Sequence, residues 1–210
     1  MRGLVLLLRT RSVILTCGVG VLVAALIAAY GTLQVRPAAM SAFVVTAYML
    51  LPFLPAVFIG VAAGAPTWPR ERGAYLRMGP RRALSVLAQS TFSCAAISLA
   101  CTIGYGSSEA APIAIRNFGG FLALTILASY VIGPTLAWIV PLLALILPAY
   151  AFFDVPTDQT HVLTFYAQPA AQTQPAIAVA VAILLAFAAL VAREPNRSLV
   201  ARFSPTVGAA

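Results

Sequence analysis

The stretch that decides the architecture runs from Asn117 to Phe153, NFGGFLALTILASYVIGPTLAWIVPLLALILPAYAFF, without one charged side chain. An α-helix rises about 1.5 Å per residue, and about 20 apolar residues cross a hydrocarbon core of about 30 Å. As a single helix this run would reach about 55 Å, far too long for one crossing. It therefore has to fold back on itself. Gly133 and Pro134 lie near its middle, where a Gly-Pro pair breaks a helix, so two passes are expected, Asn117 to Ile132 and Leu136 to Phe153.

Outward from this run, the same ruler finds four more charge-free stretches: Ser12 to Val35, Ser41 to Gly64, Ala83 to Gly106 and Pro175 to Ala192. The expected fold is all-α, one polytopic membrane domain of six transmembrane helices covering residues 1–210. The composition agrees, with 61% hydrophobic residues, 9% charged and a mean hydropathy of +0.96. A soluble fold could not cover so much apolar surface.

A net charge of +8 would suit a nucleic-acid binder if the arginines formed a patch, but they punctuate the ends of apolar runs. That is the positive-inside pattern. With the amino terminus inside, Arg2, Arg9, Arg11, Arg70, Arg72, Arg77, Arg81, Arg82, Arg193, Arg197 and Arg202 are cytoplasmic, and only Arg36 and Arg116 face outward. The outer loops also hold Glu109, Asp154 and Asp158 and stay near neutral. Five or seven passes would put a terminal arginine cluster outside, so an even count with both termini cytoplasmic is expected. The segment Leu4 to Leu8, between Arg2 and Arg9, reads as a short amphipathic membrane-surface element, because the apolar stretch after it is too long for a signal peptide and lacks a clear cleavage site.

Intramembrane chemistry needs titratable or metal-binding side chains, and the six expected passes contain no Asp, Glu, Lys, Arg or His. Cys17, Cys94 and Cys101 lie inside apolar runs and read as small packing residues. His161, the one histidine, falls in the outer segment 154–174 and reads as solvated. All thirteen basic residues are arginine, so a Walker A loop, which needs a lysine, is absent and no catalytic, metal or cofactor site is expected in the chain. Gln89, Ser90, Thr91, Ser93, Ser98 and Thr102 concentrate polarity in the third pass, where bonding across helices is the commoner reason. Gly60 and Gly64 read as an intrachain packing pair, and Pro52, Pro55, Pro141 and Pro148 as bends.

The inner connection between passes two and three, PTWPRERGAYLRMGPRRALSVLAQ, is longer and more charged than a simple turn requires. Trp68 marks the membrane boundary, while Arg70, Glu71, Arg72 and Arg77 give a polar side and Tyr75, Leu76 and Met78 an apolar one. These residues suit a short surface helix ended by Gly79 and Pro80.

This connection resembles the coupling loop of membrane subunits of type-2 ATP-binding-cassette exporters, which reads R-E-x-G-T, then a leucine-containing helix, then x-P-x-S-R. Arg70, Glu71, Gly73, Leu76, Pro80 and Arg82 fall at matching positions, whereas Ala74 replaces the threonine and Arg81 the serine. The resemblance extends to the layout: a basic amphipathic start, six passes, a short loop between passes four and five, and a longer outer segment that in the family often forms a re-entrant helical hairpin. It implies that residues 66–82 form a coupling helix docking into a separate ATPase, which would hold the ATP and magnesium. Glu71 and its neighbouring arginines, Arg70 and Arg72, would then make the charged contacts, and Tyr75, Leu76 and Met78 would insert beside them. It further implies a permease in the plasma membrane that exports its substrate and pairs with itself or a sister subunit. Two other readings use the same residues: a membrane scaffold or regulatory subunit whose basic loop anchors to anionic lipid, and an ATP-independent small transporter or channel.

Overall fold

The computed structural model describes residues 13–35, 45–64, 78–105, 109–151, 165–166, 170 and 173–192. Apart from one two-residue strand pairing, their regular structure is helical. In chain order the elements are α1 (Val13–Tyr30), β1 (Gln34–Val35), β2 (Val45–Thr46), α2 (Ala47–Leu50), α3 (Phe53–Gly64), α4 (Met78–Tyr105), α5 (Ala110–Val131), α6 (Ile139–Ala151) and α7 (Thr173–Ala192). Among the described residues, five helical stretches are long and apolar enough to cross a membrane: Val13–Tyr30, Ala47–Gly64, Arg82–Tyr105, Ala110–Val131 and Thr173–Ala192.

The long apolar run does break where a helix must. α5 ends at Val131, and Gly133 takes φ +91°, a conformation that L side chains rarely adopt, before turns lead into α6. Those turns use up residues as far as Trp138, so α6 starts at Ile139, and its 13 described residues span about 20 Å. In the second expected pass Pro52 brings no N–H for the preceding turn, and the stretch divides into α2 and α3 around Leu51 and Pro52.

Two expectations about helix starts are corrected. α4 is described from Met78, five residues before the expected start of the third pass, so Gly79 and Pro80 lie in its first turn, where the unpaired N–H groups make proline harmless; the surface helix expected before them lies outside the described residues. α5 begins at Ala110, seven residues before the charge-free run, with Pro112 in its first turn, where a missing N–H costs no helical bond. Arg116, expected in an outer loop, is thereby inside a membrane-length helix and half-buried.

α5 is the central helix. Within it 72% of the candidate span is buried by the rest of the protein, against 22% to 39% for the other four. Those four expose Ile14, Leu22, Leu99, Ile103, Leu184 and Leu185 among others, surfaces suited to lipid. Helix directions follow from paired contacts. Along α1 and α4, Thr16 meets Gln89, Gly20 meets Ser93 and Ala28 meets Gly104, so the two are parallel. Gly60 meets Thr125 and Gly64 meets Ser129, so α3 and α5 are parallel as well. The antiparallel pairing of Gln34 with Thr46 and Val35 with Val45 sets the end of α1 beside the start of α2. The bundle therefore has a near end, holding Val13, Gly64, Arg82 and Tyr130, and a far end, holding Tyr30, Ala47, Tyr105 and Ala110.

Candidate functional site

Of the residues expected to couple to an ATPase, Arg70, Glu71, Arg72, Gly73, Tyr75 and Leu76 lie outside the described residues, as do Asp154, Asp158 and His161. Met78 and Pro80 occupy the first turn of α4. Arg82, one turn further, is only 6% exposed and interacts electrostatically with Tyr130 near the end of α5. On the other flank of residues 65–77, a Cβ on Gly64 would come 2.6 Å from Ser129 Cβ and 3.3 Å from Pro134 Cβ. Gly64 before residues 65–77 and Arg82 after them thus both lie beside the last turns of the central helix.

The polar residues of the third pass divide by role. The Thr16 hydroxyl donates to Gln89 Oε1 at 2.7 Å, and Gln89 Nε2 donates to Ser85 Oγ at 3.0 Å, an interhelical bond of the expected kind. Thr91, Ser98 and Thr102 instead donate to carbonyls of their own helix, Leu87, Cys94 and Leu99, at 2.8 to 2.9 Å. Ser90 and Ser93 bury hydroxyls that have no hydrogen-bond partner among the described residues. Cys17 and Cys94 are half-buried and Cys101 is buried, all as free thiols.

No family model, curated protein or solved structure matches the chain. A functional site therefore has to be argued from these side chains alone.

The densest polar and aromatic arrangement sits in the far half of the bundle, around Asn117. This side chain is fully buried, and its amide donates to the Met49 carbonyl at 3.0 Å and the Tyr166 carbonyl at 2.7 Å. Its Oδ1 accepts long contacts from Arg116, at 3.4 Å from Nε and 3.5 Å from Nη2. Tyr166 donates its hydroxyl to the Leu145 carbonyl of α6 at 2.9 Å. Both accepting carbonyls lie three residues before a proline, Met49 before Pro52 and Leu145 before Pro148. A proline withdraws the N–H that would reach the carbonyl four residues back, Tyr48 or Ala144, so each accepting carbonyl is the immediate neighbour of the one that loses its helical donor.

Aromatic rings close the arrangement. Phe121 packs edge-on to Phe53 at 5.4 Å and 83°, and stands 5.2 Å from Phe165 at 59°. Phe165 meets Tyr166 at 6.0 Å and 88°. Gly120 makes room for the Phe165 ring, since any Cβ at that position would overlap ring atoms. The sequence reading passed over this site. Asn117 is expected there only as the first residue of a pass, and Phe165 and Tyr166 fall in HVLTFYA of the outer segment, a stretch that the family resemblance makes part of a re-entrant helical hairpin. The signal available was an amide within an apolar helix, an expensive group that needs partners.

Proposed function

We propose that this chain is the permease subunit of a type-2 ATP-binding-cassette exporter, with ATP hydrolysed by a separate cytoplasmic ATPase and a second permease subunit, identical or related, completing the membrane part. In this reading the near end is cytoplasmic, both termini lie on that side of the plasma membrane, and α6 is the core of a sixth pass. The observation that carries it is the Arg70–Glu71–x–Gly73 sequence with Leu76, Pro80 and Arg82 between the second and third passes. The geometry of the flanks supports it. Gly64 against Ser129 and Arg82 beside Tyr130 give residues 65–77 a short mechanical path to α5, so a partner pressing on the loop would move the central helix.

The test is recovery of a nucleotide-hydrolysing partner with the detergent-solubilised protein, identified by mass spectrometry. Glu71→Lys is predicted to reduce that recovery, or to leave ATP hydrolysis uncoupled from transport, by tenfold or more if the charged contact lies in the interface, about 1.4 kcal/mol. Recovery of no such partner, or unchanged recovery and unchanged coupling in the variant, would leave the lipid-anchored scaffold as the better reading.

A further inference from the structure

One hydroxyl in the middle of the α1/α4 seam is buried without use. Ser93 is 1% exposed, and its Oγ, which a Cβ on Gly20 of α1 would approach to 3.1 Å, has no hydrogen-bond partner among the described residues. An orphaned hydroxyl costs free energy in apolar surroundings, and Thr91, Ser98 and Thr102 on the same helix all spend theirs on a carbonyl. Ser93 stands four residues after Gln89, and Ser85 four residues before it, so the three share one face of α4, a turn apart. Gln89 thus has a serine oxygen on either side. Its Nε2 donates to Ser85 at 3.0 Å, while its Oε1 accepts from Thr16 of α1 at 2.7 Å.

We propose that Gln89 is a two-position latch between α1 and α4. In the observed position it grips Thr16 and Ser85; in the second its amide swings one turn along α4, donates to Ser93 and releases α1. The exchange is nearly balanced. The amide trades one serine oxygen for another, and the hydroxyl it abandons is that of half-buried Ser85 instead of fully buried Ser93. The Thr16 hydroxyl also lies 3.0 Å from the Val13 carbonyl and keeps that acceptor. What the second position gives up is the Thr16–Gln89 bond across the seam, a contribution of a size that sets the two populations about threefold apart. The latch lies within the seam and needs no ATPase, so it fails separately from the permease reading.

The experiment follows the Gln89 side-chain amide of the full chain in lipid nanodiscs by NMR of glutamine-labelled protein, the signal being assigned by its loss in Gln89→Leu. Ser85→Ala removes the present acceptor and is expected to move the signal to a second position. Adding Ser93→Ala is expected to abolish that position, since the amide then has neither serine. Cys17, next to Thr16 on α1, supplies a second readout through its alkylation rate with N-ethylmaleimide, resolved from Cys94 and Cys101 by peptide mass spectrometry. That rate is expected to rise about threefold in Ser85→Ala, where the latch has swung to Ser93. It should return to the parental value in the double variant, where Oε1 is again free to hold Thr16. A purely structural serine would not give this reversal. An unchanged signal in Ser85→Ala, a signal coinciding with that of the double variant, or a Cys17 rate raised equally in both overturns the proposal.

Discussion

The α3/α5 and α1/α4 seams both bring glycines against a neighbouring helix, but the second adds a side-chain hydrogen bond across it. Lipid is as apolar as leucine, so helices in a membrane associate through close packing and polar contacts rather than through hydrophobic burial. Between α3 and α5 the fit is one of shape. Gly60 and Gly64 receive Thr125 and Ser129, and those hydroxyls are already spent on their own helix, donating to Phe121 at 2.7 Å and Ile126 at 2.6 Å. Between α1 and α4 a bond between side chains, Thr16 to Gln89, crosses the seam. The central helix is thus held where backbones approach closely, and a peripheral helix is held in part by a polar tie that has other options.

The largest predicted effect breaks the shape-based seam. Gly60→Leu places a branched side chain where a Cβ alone would stand 2.6 Å from Thr125. Overpacking of this kind costs about 1–3 kcal/mol or more, and the thermal midpoint of the detergent-solubilised protein should fall sharply, with loss of the monodisperse peak on size exclusion. If the variant behaves as the parent does, the seam is not a close-packed one. Gln89→Leu tests the polar seam and should cost less, about 0.6 kcal/mol, because the Thr16 hydroxyl also lies 3.0 Å from the Val13 carbonyl and keeps that acceptor. A midpoint shift as large as that of Gly60→Leu would erase the distinction between the seams. Thr91→Val sharpens the comparison from the other side. Thr91 is exposed and bonds to Leu87 of its own helix, so its midpoint should stay within about 0.5 kcal/mol of the parent. A larger loss would reveal a contact on that face.

The same division explains how much was legible beforehand. Passes one and six needed only a ruler, since charge-free length is a one-dimensional property, and Ser12 to Val35 contains α1 while α7 extends the Pro175 start by two residues to Thr173. The turn at Gly133 was equally local, because backbone freedom at glycine and the missing N–H of proline act within one turn. Arg116 misled the reading of the fourth pass. Charge marked a boundary in the sequence, yet the helix continues through it, with Arg116 half-buried beside Asn117. Gly60 and Gly64 read correctly as intrachain packing, but their partners, four residues apart on α5, had no mark in the sequence.

Length, hydropathy and the proline breaks are properties of consecutive residues, and they sufficed to say that the chain is helical and fit for a membrane. Which helix lies at the centre, and which carbonyls Asn117 and Tyr166 reach across 68, 49 and 21 positions of chain, depended on helices meeting in three dimensions. A hydrogen bond is satisfied by a neighbour in space, and composition along the chain carries no record of who that neighbour will be.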